Sequence, residues 1–162
     1  MPDSEPPELP EQPTLNRVTN NDGYTFVGGI ERGMIFWGEV LPDETRDSEQ
    51  FHEARNPCPW IVLSADLVHR KLPIVQAAPL TTKLNKDQQA NFRNFRVRLP
   101  GAQLLRYRLR SGSVPLEGDS LVLIEQLRVL AHERLLGDPV AKASIQLLGA
   151  IEVSLKYVLD MP

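Results

Sequence analysis

The chain has 162 residues, and its first thirty differ in composition from the rest, which leaves one domain of conventional size with a single hydrophobic core. One cysteine, Cys58, rules out an internal disulfide and a cysteine-based zinc site, the three histidines (His52, His69, His132) are not at metal-ligand spacing, and no cofactor is expected. No apolar run approaches the ~20 residues that span a bilayer, and the N-terminus lacks the basic and apolar regions of a signal peptide, so a cytoplasmic protein without membrane contact is expected.

In chain order, residues 1–22 are rich in proline and acid and poor in large apolar groups, and the reading for 1–30 is a disordered acidic tail. The fold proper, 31–162, opens at Arg32-Gly33, and Met34–Val40 reads as a first strand. Asp43–Cys58 is a long polar loop of the kind that is functional or disordered. Trp60–Leu63 and Ile74–Ala78 read as two buried strands joined by a short polar connection, with Pro79 ending the second because it has no N–H to donate. Thr81, Thr82 and Lys83 follow that strand, where a rigid scaffold hands side chains to ligands, and are the first candidates for chemistry.

Asn94–Leu99 and Leu105–Arg110 alternate strictly, and the second sets Arg106, Arg108 and Arg110 on one strand face, either an exposed sheet face or a binding face. Ser120–Ile124 is a further buried strand. A final helix is expected with Asp138 as cap and Pro139 at its first position, carrying a stripe of Ile145, Leu148, Ile151, Leu155 and Val158 or Leu159. The order points to a mainly β fold, a small bent sheet or barrel with a C-terminal helix packed against it.

The net charge of −3 is unevenly spread. Residues 69–110 hold ten Lys and Arg against Asp87 alone, while Glu39–Glu53 holds six acids against Arg46. Such a basic segment fits a polyanion footprint, and equally a solvated surface paired with the acidic stretch. The acidic tail is a candidate to cover the basic face in cis.

These residues resemble the MazF/PemK (Kid) family of toxin endoribonucleases. The resemblance rests on Arg32-Gly33 with the strand Met34–Trp37, Ser48-Glu49-Gln50, Pro59–Ser64, Pro79-Leu80-Thr81, Asp119-Ser120, Glu125-Gln126-Leu127-Arg128 and the terminal helix, in that order. It implies an SH3-like barrel (MazF/PemK/CcdB-like), a homodimer, metal-independent cleavage of single-stranded RNA, and a cognate antitoxin as partner. One departure stands out: the family's catalytic arginine precedes the proline matched by Pro59, and here that place holds Cys58.

Metal-free cleavage needs help in removing the 2′-hydroxyl proton, in protonating the leaving 5′-oxygen, and in neutralising the phosphate. Thr81 aligns with the family's catalytic threonine. Arg55 is the natural replacement for the arginine, as a planar donor set matched to phosphate, and His52 in the same loop titrates near neutrality. RNA contacts are assigned to Glu49, Gln50, Ser64, Lys83, Lys86, Arg93, Arg96 and Arg98, and Arg128 to a structural or dimer role. The missing arginine motivates a second reading, a barrel that binds RNA or a protein partner without catalysis. For the gyrase-poisoning, CcdB-like branch of the same fold no specific residues are present.

Overall fold

Runs rich in branched and aromatic residues form most strands of the computed structural model, which describes residues 6–39, 57–82 and 95–162. In chain order these are β1 (Asn16–Thr19), β2 (Thr25–Gly28), β3 (Met34–Gly38), β4 (Cys58–Val62), α1 (Asp66–Lys71), β5 (Ile74–Thr81), β6 (Arg96–Leu99), β7 (Leu105–Arg106), β8 (Ser120–Leu123), β9 (Arg128–Ala131), β10 (Leu135–Lys142) and α2 (Ile145–Val158). β1 and β2 form a separate hairpin. The others make one antiparallel, curled half-barrel sheet in the order β6-β8-β5-β4-β3-β10-β7, with β9 on the first half of β5. This is the expected mainly β fold with a C-terminal helix. No described helix is long and apolar enough to cross a membrane.

Each face of the sheet carries its own core. On the inner face, Ile35, Ile61, Ala78, Leu80 and Val122 pack with Leu147 and Ile151 of α2. On the outer face, Phe36, Trp60, Val62, Val75, Ala77, Leu130 and Leu135 pack with Leu15, Val27 and Ile30. Alternation explains the split, because cross-strand partners share a face: Ile35, Ile61 and Ala78 are paired on one side, Phe36, Trp60 and Pro79 on the other. Gly38 is required here, since a Cβ on it would lie 2.6 Å from Cδ1 of Trp60.

Residues 6–30 therefore do not behave as composition suggests. Gln12 is 2% exposed. Its amide nitrogen donates to the Pro139 carbonyl at 3.2 Å, and its amide oxygen accepts from Arg110 N and Ser113 Oγ, each at 3.1 Å. A polar side chain can be buried when its donors and acceptors are met, which a residue count does not register. The β1–β2 hairpin is pinned by His132, whose buried Nδ1 accepts the Val27 N–H at 2.9 Å while its ring meets Phe26 edge-on. Burial holds His132 and His69 below the usual histidine range.

Three further expectations change. β5 runs on through Pro79 to Thr81. Its partner on one side switches there, from β9 along Ile74–Ala77 to β8 along Leu80 and Thr81, and a residue without an N–H is tolerated at such a break. Of Leu105–Arg110, only Leu105 and Arg106 pair with β10. Beyond them Arg108 takes up the N-terminal segment: its N–H donates to the Pro10 carbonyl at 2.7 Å, and its guanidinium pairs with Glu8 at 2.8 Å and Glu11 at 2.5 Å. The acidic segment thus does reach this arginine in cis.

The helix also starts later than expected. Ser144 caps α2, its Oγ accepting the Leu147 N–H at 3.3 Å, and Ile145 is 85% exposed instead of starting the buried stripe. Gly137, Asp138 and Pro139 instead lie in β10, where the register shifts between Leu136 and Ala141 and Gly137 has φ +73°. Asp138 accepts the Leu15 N–H at 2.9 Å and pairs with Arg110 at 3.0 Å. Gly-Asp-Pro reads alike as a helix start or as a strand irregularity, and its tertiary partners decide between them.

Candidate active site

Thr81 ends β5 in a row that crosses the outer face of the sheet. It is paired with Leu121 of β8, which is paired in turn with Arg98 of β6. On the other side, the register of Trp60 with Pro79, carried to the strand ends, sets Cys58 opposite Thr81, and Cys58 is paired with Gly38. Cross-strand partners point to one face, so Cys58, Thr81, Leu121 and Arg98 share it. β3 ends, β4 begins and β5 ends at this row.

Two guanidinium–carboxylate pairs flank Thr81 on the β6 side. Arg98 Nη2 donates to Asp119 Oδ2 at 2.6 Å, and Arg98 remains 58% exposed. Asp119 also accepts the Gly101 N–H at 2.9 Å, and the Arg98 hydrogen bond, with that N–H, holds its carboxyl below the usual range. In the next row Arg96 bonds Glu125 through Nε at 2.9 Å and Nη2 at 2.8 Å, with its side chain only 16% exposed. Arg98 thus offers donors to solvent where Arg96 is largely enclosed.

Cys58 fills the other flank with a different chemistry. Burial pushes its thiol up to about 11, the Arg128 charge pulling the other way. Such a thiol keeps its proton near neutral pH and offers no positive charge to a phosphate.

The other expected site residues divide sharply. Ser64 lies at the opposite end of the β4–β5 pair, buried, with Oγ accepting the Gln76 N–H at 3.1 Å and standing 3.3 Å from His69 Nδ1. Its hydroxyl is engaged inside the protein, away from Thr81. Arg128 is half-buried on β9, paired with Ala77, and its charge is felt at Cys58. Glu49, Gln50, His52, Arg55, Lys83, Lys86 and Arg93 lie outside the described residues. Arg32, which opens the resemblance, is a brace: its guanidinium reaches the Leu63 carbonyl at 3.0 Å and Glu152 of α2 at 2.7 Å.

Asp119 was legible only as part of a motif. Its contact with Arg98 depends on the β6–β8 register, which neither strand's sequence states by itself. The row sets an exposed guanidinium at Arg98 two strands from the hydroxyl of Thr81, on the same face. Among the described residues no group of three or more His, Cys, Asp or Glu could hold a metal ion.

Comparison with known proteins identifies the family and the fold. The model of a family described as PemK-like, MazF-like toxin of type II toxin–antitoxin system matches residues 31–159. No curated protein sequence matches the chain. Among solved structures, MazF (Form-I) from Deinococcus radiodurans is similar with a TM-score of 0.58 at 22% identity, over 82% of this chain and 97% of that one. An endoribonuclease from Mycobacterial species gives 0.53 at 18% identity, over 83% and 95%. An endoribonuclease in complex with its cognate antitoxin, also from Mycobacterial species, gives 0.53 at 18% identity, over 83% and 97%. At such identities the likeness is one of fold.

Proposed function

The chain belongs to the PemK-like, MazF-like toxins of type II toxin–antitoxin systems, and from that premise we propose that it is an endoribonuclease that cuts single-stranded RNA in the cytoplasm without a metal. The observation that carries this reading is the position of Thr81. The sequence resemblance aligns it with the family's threonine, and it ends a strand with an exposed guanidinium on the same face. In the reaction the ribose 2′-oxygen bonds to phosphorus, the bond to the 5′-oxygen breaks, the 2′-hydroxyl loses its proton and the leaving oxygen gains one. Thr81 orients the phosphate through its hydroxyl, a guanidinium neutralises the developing charge, and stacking contacts to unpaired bases supply selectivity. Arg55 and His52 remain candidates for the charge and the proton.

The partners follow from the same premise. One is a cognate antitoxin that covers the RNA-facing surface. Another is a second copy of the chain, for which α2 offers Ile145, Val153 and Tyr157, spaced by eight and four residues and 85%, 72% and 57% exposed. A protonated Cys58 in place of the family arginine favours the second reading, binding without cleavage.

The deciding experiment is incubation of the protein with a long single-stranded RNA in EDTA, beside Thr81→Ala. Discrete cleavage that falls by about 10²-fold or more in Thr81→Ala supports the nuclease. Intact RNA that is nonetheless bound sinks the catalytic reading and leaves the binding one. Light scattering at micromolar concentration tests the dimer, and a monomer there refutes it.

A further inference from the structure

We infer that Arg98, positioned by Asp119, is the arginine that meets the RNA phosphate in this protein, taking over from the β6 side of Thr81 the task that the β4 side has lost. The inference rests on the nuclease reading above and names the residue that completes its site. On β4 the place is held by Cys58, whose buried thiol is pushed up to about 11 and brings no positive charge. On β6, two strands from Thr81 and three from Cys58, in the same row and on the same face, stands Arg98. Leu121 lies between Arg98 and Thr81 and is buried to 3% exposure, so no charged side chain separates the two across β8.

The guanidinium is both accessible and held. Asp119 engages Nη2 at 2.6 Å, leaving its remaining N–H groups for a phosphate, and the backbone N–H of Gly101 fixes Asp119 from the other side at 2.9 Å. A fork held in this way loses less freedom on meeting a phosphate than a free side chain does. Arg96 is the natural rival. Its double contact with Glu125 and low exposure make it part of the sheet's framework.

The test compares Arg98→Ala, Arg98→Lys and Asp119→Asn with the wild type in two assays: cleavage of single-stranded RNA, and RNA binding in a Thr81→Ala background over a range of salt. Thermal melts select variants that fold. Arg98→Ala is expected to lower kcat/KM about 10²-fold, as loss of one preorganised donor does, and to flatten the salt dependence of binding by about 0.7 for one lost phosphate contact. Arg98→Lys keeps most of the salt dependence but not the rate, because the planar fork is gone. Asp119→Asn lowers kcat more than it raises KM, the mark of a positioning residue. If Arg98→Ala cleaves and binds as the wild type does, the inference is overturned and the nuclease reading stands. If the wild type binds RNA without cutting it, the nuclease reading fails, and unchanged binding by Arg98→Ala overturns the Arg98 inference separately.

Discussion

The two faces of the sheet are built from alternate residues of the same strands, yet they are closed in different ways. The inner face is covered by α2, a fourteen-residue helix with its own cap and an apolar side. The outer face is covered by a short hairpin and an extended segment that contribute Leu15, Val27 and Ile30, and are held to the rest of the fold by polar contacts such as those at Gln12, Leu15 and His132. A helix forms much of its own hydrogen-bonding before it docks. The N-terminal cover depends on partners in the sheet for nearly everything. The same outer face carries Thr81 and Arg98, so the less self-sufficient cover shares its face with the proposed chemistry.

Removing residues 1–30 is the harshest test of that contrast. Three buried aliphatic side chains at ~1.5–3 kcal/mol each put the loss at about 4 kcal/mol or more, with dye-binding apolar surface exposed around Trp60. A truncated protein with an unchanged urea midpoint would show that the outer core is not a stabilising element. Next come single core truncations: Ile61→Ala on the inner face is expected to cost about 2–5 kcal/mol and Trp60→Ala on the outer face about 3–5 kcal/mol. Combined with the deletion, Trp60→Ala should cost clearly less than alone, while Ile61→Ala should add fully. Equal additivity on both faces, read from urea unfolding, would erase the distinction.

The pins come after the cores. Gln12→Ala leaves the buried Pro139 carbonyl and the part-buried Arg110 N–H without this partner, at about 1–3 kcal/mol. Hydrogen exchange should then quicken in 6–28 and not in α2, and a uniform change would mean that the segment is not a separate unit. His132 adds a pH dependence. Its folded pKa lies below the unfolded value of about 6.5, so its contribution is complete above that pH and is lost as pH falls from there through the folded pKa. His69 acts in the same direction, with Asp66 partly opposing its shift. Urea midpoints that decline below pH 6.5, and decline less in His132→Gln, support the pin, while a flat profile down to pH 5.5 refutes it. The smallest effect belongs to Glu8→Gln with Glu11→Gln, since these exposed pairs with Arg108 are screened by water and salt. Their loss should leave the urea midpoint unchanged and raise RNA affinity at low salt, and an unchanged low-salt affinity in a binding titration refutes cover of the basic face in cis.

Much of this was legible beforehand. Alternation in Asn94–Leu99 and the apolar run Ser120–Ile124 announced strands, and the three- and four-residue spacing through Leu148, Ile151 and Leu155 announced the helix. Legibility failed where one residue pattern suits two structures. Pro79 reads as a stop, but it falls at a change of strand partner. Asp138 reads as a cap, but it ties β10 to Leu15 and Arg110. The arginines at 106, 108 and 110 read as one strand face, but each finds a separate partner. At the proposed site, Thr81 was a candidate from its strand end, while the pairing of Arg98 with Asp119 required the register of β6 on β8.

The sequence by itself determined the fold class, the family and the absence of an arginine before Pro59, because these depend on local periodicity and on motifs in linear order. Only the tertiary structure decided that the N-terminal segment completes a second core, that Ser64 is sealed inside, and that Arg98 shares a face with Thr81. Those facts depend on strand register and on long-range hydrogen bonds, and a residue's neighbours across a sheet are set by the pairing of whole strands.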